Sequence, residues 1–367
     1  MKIVQVINSL AGGGAEILAV NLSISLSEMS GNHVTLVTLY GEKDSKGIQM
    51  SKYLEERNVS YVPLHQGQFS KIGQLKKLHK LLRELNPDVV HSHLMPSDLW
   101  NGLCKLSPFT KFRLIRTIHN NRIDQYPTFF HKLLARIYDV NIACSYFVRD
   151  TYPINAIKKH LIAIPNGIQI PENYPLNYGG KQDLRTKLGL PVDKTILINI
   201  GSMFLRDGIL YKNQGLIIES IPLLNEDIVV VLLGDGKEKE NLERRAIELK
   251  VRDRVIFCGL VSDPLPYLAA SDVFLMPSVN EGLPLSLLEA LCTGLPSILS
   301  NIPAFQSFKK KSVTLLDSLT VDALAESVHE ITNNIERYRK DASVNAIENQ
   351  KIYNIKEVAI AYAKYYI

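Results

Sequence analysis

Short apolar runs of strand length recur along the whole chain, and longer segments with helical spacing separate them. In the first half the runs are KIVQVI (2–7), HVTLVTL (33–39), SYVPL (60–64), DVVHSH (88–93), FRLIRTIH (112–119), VNIACS (140–145) and LIAIP (161–165). Segments such as AEILAVNLSISLSEM (15–29) and GQLKKLHKLLREL (73–85) lie between them. Strands without a polar face, interleaved with helices, predict a parallel sheet covered on both sides. PNGIQIPENYPLNYGGK (165–181) carries neither period and reads as an interdomain linker. The alternation then restarts with TILINIG (195–201), DIVVVLLG (227–234), RVIFCG (254–259), VFLMPS (273–278), LPSILS (295–300) and SVTLL (312–316). Helices are expected at about 213–225, 237–250, 284–293 and 320–335, with a final one over 350–366. The fold class is therefore α/β, with two consecutive Rossmann-like, doubly wound domains. Such sheets bind ligands at the carboxyl ends of their strands, so two facing domains would place a site in the interdomain cleft.

A length of 367 residues fits two domains. Cys104, Cys144, Cys258 and Cys292 are far apart, which argues against a disulfide framework and for a reducing, cytoplasmic setting. The start, MKIVQVINSL, reads as a first strand rather than a secretory signal, and no apolar run approaches the ~20 residues that span a bilayer. A net charge of +5, scattered among acids, does not call for a nucleic-acid partner.

The most informative stretch is MPSVNEGLPLSLLEALCTGLPSI (276–298). Gly282 allows a turn, and Pro284 suits the first turn of a helix, where its missing N–H costs nothing. The start of that helix would offer free N–H groups and a positive dipole end, a seat for a diphosphate. Glu281 precedes the helix and Glu289 lies in its second turn, with side chains roughly 8–12 Å apart by helix rise. Each carboxylate can accept two hydroxyl hydrogen bonds, as from a sugar or a ribose. A solvated Glu281 and a surface Glu289 are the alternative.

EGLPLSLLE (281–289) resembles the E-x7-E motif of the family 4 retaining glycosyltransferases of group 1, which have the GT-B fold. YLAASDVFLMPS (267–278), ALCTGLPSI (290–298), VLLGDGKEKENLE (231–243), IPNGI (164–168) and GGAE (13–16) resemble that family in the same order. The resemblance implies transfer of a sugar from a nucleotide-sugar, UDP-linked by default, to a glycan or lipid-linked acceptor with retention, in cell-surface polysaccharide biosynthesis. It implies an acceptor domain over 1–170, onto which the final helix of 350–367 packs back, and a donor domain over 182–349. Glu281 would meet the sugar hydroxyls and Glu289 the ribose diol, while the backbone at Gly282, Leu283 and Pro284 would hold the diphosphate. No cofactor or metal is expected, and the sequence has no Asp-x-Asp motif.

In IGSMFLRDGILYKNQ (200–214) the family places Arg directly after the strand-ending glycine, then Lys about six residues on. Here Ser202 stands there, and Lys212 follows ten residues later, past an insertion. Lys212 is expected to neutralise the diphosphate, Arg206 to substitute for the missing arginine, and Asn213 and Gly234 to border the donor. The loop SLAGGGAE (9–16) has Ile17 where a dinucleotide fingerprint needs glycine. Gly13 and Gly14 are expected instead to border donor phosphate and acceptor. His91 and His93 share one face of a strand. His93 is expected to line the cleft, and His119 to sit near the donor sugar as the family's strand-ending histidine does. Helix 73–85 carries Leu75, Leu78, Leu82 and Leu85 on one face and Lys76, Lys80 and Arg83 on another. It reads either as a packed helix with a wet basic face or as a dock for anionic headgroups, which would hold the protein on the inner face of the cell membrane. The rival functions are a sugar-nucleotide epimerase or hydrolase on the same scaffold, and an inactive nucleotide-sugar-binding subunit. Ser202 at the arginine's place keeps the second of these open.

Overall fold

In a computed structural model, which describes residues 1–64, 71–121, 127–170 and 180–367, the chain forms two compact units. One comprises Met1–Gln169 with Tyr353–Ile367, and the other Ile170–Ile352. Residues 171–179 of the expected linker lie outside the described residues.

The first unit holds seven parallel strands: β1 (Lys2–Ile7), β2 (His33–Thr38), β3 (Ser60–Pro63), β4 (Val89–His93), β5 (Arg113–Ile118), β6 (Val140–Ala143) and β7 (Leu161–Ala163). Their order is β3-β2-β1-β4-β5-β6-β7. Alternate residues of β1 feed separate cores, because side chains alternate across a strand. Ile3 and Ile7 join Leu18, Leu22, Ile355 and Val358 on one face, while Val4 and Val6 join Leu78, Leu82 and Leu134 on the other. Burial on both faces is why these strands read as continuous apolar runs.

The second unit holds β8 (Thr195–Ile200), a two-stranded hairpin of β9 (Leu205–Arg206) and β10 (Ile209–Leu210), then β11 (Ile228–Leu233), β12 (Val255–Gly259), β13 (Val273–Met276), β14 (Ser297–Ser300) and β15 (Val313–Leu316). The main sheet runs β12-β11-β8-β13-β14-β15, and all its pairs are parallel. Both sheets thus reverse their order of addition at one point: between β1 and β4, and between β8 and β13.

Two features of the fold are not in the sequence reading. The insertion after β8 forms a hairpin. Asp207 and Gly208 at its tip both have positive φ, 54° and 76°, the backbone that a two-residue hairpin turn requires. The helix expected over 350–366 is broken. A helix over Ile335–Tyr353 ends there, Asn354 caps the next by accepting from the Lys356 amide at 3.0 Å, and that helix spans Ile355–Ala363. The break lies beside Ile168, whose amide donates to Tyr353 and whose carbonyl accepts from Ile355. Ile355, Val358, Tyr362 and Tyr366 are buried in the first unit, each contributing about 2 kcal/mol by transfer from water. Among the described residues no helix is long and apolar enough to cross a membrane.

Candidate active site

The second unit concentrates the predicted donor residues at its topological switch point, the place where doubly wound sheets bind ligands. β8 ends at Ile200, and the chain passes through Gly201 and the hairpin before it returns at Lys212. The neighbouring β13 leads into the loop that carries Glu281. The Val279 amide donates to the Tyr211 carbonyl at 2.9 Å and ties the two returns together. Lys212 Nζ then meets Glu281 Oε1 at 2.7 Å, with both side chains largely shielded. The lysine stem lies over Gly201, where an added Cβ would stand 2.7 Å from Lys212 Cγ. Only glycine leaves that path open.

Gly234 ends β11 against the same turn. Its φ is +132°, and a Cβ there would overlap the Gly201 carbonyl. Asn213 adopts a left-handed conformation (φ 54°) at the start of the short helix Gln214–Ser220. Leu283 is buried, Gly282 lies in a bend, and Pro284 is the N-cap of helix Leu285–Cys292 rather than its first helical residue. Glu289 falls in that helix's second turn, and Ser286 Oγ donates to the Ile200 carbonyl at 3.4 Å. Arg206 lies in the hairpin, with its backbone paired to Ile209. An ammonium, a carboxylate and unpaired helix N–H groups at one strand end can hold a diphosphate and a polyhydroxylated group together.

The glycine loop lies at the first unit's switch point. Gly13 is the N-cap of helix Gly14–Ser27, and the Glu16 carboxylate folds back onto it, where a Cβ would overlap. Burial raises the Glu16 carboxyl above the usual range. Asp44 accepts from the Gly12 amide at 3.1 Å and the Gly47 amide at 2.7 Å. Two carboxylates at this loop can accept from sugar hydroxyls, beside the Gly13 and Gly14 backbone that is expected to border donor phosphate and acceptor.

The histidines sit differently. His93 is fully buried and cannot line an open surface: its Nε2 contacts Gln5 Oε1 at 2.8 Å and its Nδ1 contacts His119 Nε2 at 3.1 Å. His119 follows β5 and is partly exposed. Desolvation lowers His119 to about 4 and His91 to about 3, and pushes His93 well below its usual value, so all three are neutral at pH 7. Among the described residues no group of three His, Cys, Asp or Glu side chains is placed to hold a metal ion.

Two doubly wound parallel sheets, with an acid–ammonium pair and a helix start at the second switch point, define an α/β protein of the GT-B class. Residues 180–349 match the family described as glycosyl transferases group 1, and residues 12–170 match glycosyltransferase family 4. The chain belongs to the group 1 glycosyltransferases of family 4. It is 26% identical over 385 residues to the O-antigen biosynthesis glycosyltransferase WclY of Escherichia coli, covering 96% of this chain and 98% of that protein. It is 26% identical over 259 residues to TuaC of Bacillus subtilis, named for teichuronic acid biosynthesis, covering 67% of this chain and 61% of that protein. The solved structure of Anabaena HepE in complex with UDP and glucose superposes with a TM-score of 0.83 at 17% identity, covering 99% of this chain and 98% of that one. At that identity the likeness speaks for the fold.

Proposed function

We propose that this glycosyltransferase moves a sugar from a UDP-linked donor to a glycan or lipid-linked acceptor, with retention at the anomeric carbon, in the assembly of a cell-surface polysaccharide. The observation that carries the reading is the Lys212–Glu281 pair at 2.7 Å beside the start of helix Leu285–Cys292. The polysaccharide role rests on the likeness to WclY, and UDP is taken from the nucleotide held by HepE, a protein that shares this fold.

In this reading Glu281 accepts from the hydroxyls of the transferred sugar, and Lys212 holds it in orientation. The lysine has three donors, so it can keep Glu281 while reaching a phosphate oxygen. As the glycosidic bond to the leaving diphosphate breaks, positive charge grows on the sugar ring and negative charge on the phosphate. Lys212, the amides near Gly282 and Leu283, and the helix start stabilise the latter, with no metal in the step. Asn213 and Gly234 shape the turn, and the side chain of Arg206, expected as a second cation, lies outside the described residues. Glu289 takes the ribose diol. In the first unit His119 contacts the transferred sugar, while Gly13, Gly14 and the acids beside them receive the acceptor hydroxyl.

Helix Lys71–Leu85 buries Leu78 and Leu82 and leaves Lys76, Lys80 and Arg83 exposed. The Arg83 guanidinium lies 5.3 Å from the ring of Phe109, which is 70% exposed, and Leu106 nearby is 63% exposed. Cations interleaved with exposed apolar groups suit an anionic membrane surface, here the cytoplasmic face. Co-sedimentation with anionic but not neutral vesicles is expected.

The central test is a thermal-shift panel of nucleotide sugars, followed by the anomeric configuration of the product formed from the donor that stabilises the protein. Stabilisation follows selective binding. An inverted product would end the retention claim. Conversion of donor without acceptor would favour an epimerase or hydrolase.

A further inference from the structure

Around His91 and His93 a hydrogen-bonded chain runs through the sheet of the first unit. His119 Nε2 meets His93 Nδ1 at 3.1 Å, and His93 Nε2 meets Gln5 Oε1 at 2.8 Å. Gln5 Nε2 donates to the Tyr366 hydroxyl at 3.2 Å, which meets His91 Nδ1 at 2.7 Å. His91 Nε2 meets Thr117 Oγ1 at 2.8 Å, and Thr117 meets the Tyr362 hydroxyl at 3.0 Å. Apart from His119, every member is at most 3% exposed, so water cannot interrupt the chain.

A neutral imidazole has one N–H, and both nitrogens of His91 and of His93 are engaged. The directions on the His93 side therefore follow from one amide. Gln5 Oε1 can only accept, so His93 donates from Nε2 and accepts at Nδ1. His119 must then donate from Nε2, which leaves its Nδ1 a bare acceptor. On the other side Gln5 donates to Tyr366, whose own O–H is then available to His91 Nδ1. Turning the Gln5 amide over would reverse the bonds through His93 and put the proton of His119 on Nδ1.

We infer that Gln5 and Tyr366 are positioning residues that fix the tautomer of His119, presenting its Nδ1 as an acceptor for a hydroxyl of the transferred sugar. The inference rests on the proposed contact of His119 with that sugar. The depressed basicity of all three histidines agrees with it, since a protonated His93 would break the directions set by Gln5.

The test uses the full chain labelled with 15N in its histidines. In the wild type His119 should show a protonated Nε2 and an unprotonated Nδ1. Tyr366→Phe removes the acceptor that orients the Gln5 amide, so the two His119 tautomers should mix, and kcat should fall about three- to tenfold with KM for the donor nearly unchanged. Tyr362→Phe loses a comparable buried hydroxyl at the far end and should leave both the spectrum and kcat near wild type. A wild-type His119 protonated at Nδ1, or a Tyr366→Phe spectrum identical to wild type, overturns the relay. Mixed tautomers with unchanged kcat overturn the contact of His119 with the sugar while leaving the relay standing.

Discussion

The two units share a strand order around their switch points, yet they place polarity differently. In the second unit strand β11, IVVVLL, is wholly apolar and buried, Asn199 is the one buried polar side chain of β8, and the acid and base stand in returns beyond the strand ends. In the first unit polar side chains lie within the sheet itself, at Gln5, His91, His93 and Thr117. The difference teaches where each unit's chemistry is held. The second unit holds a fixed pair of opposite charges beyond its strand ends. The first supplies neutral groups whose direction is set from inside the core, where an unpaired charge would be costly.

The largest effect should follow from breaking the charged pair. Glu281→Ala or Lys212→Ala should lower kcat/KM by about 10²–10³-fold, the scale of losing one electrostatic contact to a developing charge. The double variant should lose much less than the product of the two, because the side chains act together. Near-normal turnover in both single variants would remove the second unit from the chemistry. Glu289→Ala should act more mildly, raising the Kd for the nucleotide about tenfold by titration calorimetry with a smaller change in kcat.

The first unit's neutral histidines predict an acid sensitivity that the second lacks. Their folded-state basicity lies below the ordinary value of 6.5, with His119 near 4 and His91 near 3. The unfolded chain therefore binds more protons in this range, and stability falls as pH drops from about 6.5 toward 4. Hydrogen exchange in β4 should accelerate over that window, while β11, which holds no titratable group, stays protected to lower pH. Equal acid sensitivity of the two strands would contradict the contrast. The smallest expected effect is none: chelation of divalent ions should leave the transfer rate unchanged, and a rate that needs added metal would overturn the role given to Lys212.

Local signals carried much of this into view. Apolar runs located the strands because both faces of each sheet are covered, and the spacing of Glu281 and Glu289 marked the helix between them. The hairpin had a signal as well, since Asp207-Gly208 between Leu205-Arg206 and Ile209-Leu210 is typical of a tight turn. Asn354 was a readable cap inside a helical stretch. What local pattern could not show was pairing across the chain. Lys212 and Glu281 are 69 positions apart, and Gln5 and Tyr366 are 361. His93 looked reachable from its place near a strand end, but the last helix and its tyrosines cover that face.

The short segment Tyr353–Ile367 finishes the core of a unit whose strands all precede the second unit in the chain. The half made earlier therefore stays incomplete until Tyr353–Ile367 has been made, while the intervening unit has all of its own strands in hand. A late frameshift, a clipped end or a bulky fusion there would strike the remote, early-made half, leaving an apolar seam along helix Gly14–Ser27 for chaperones or aggregation to find.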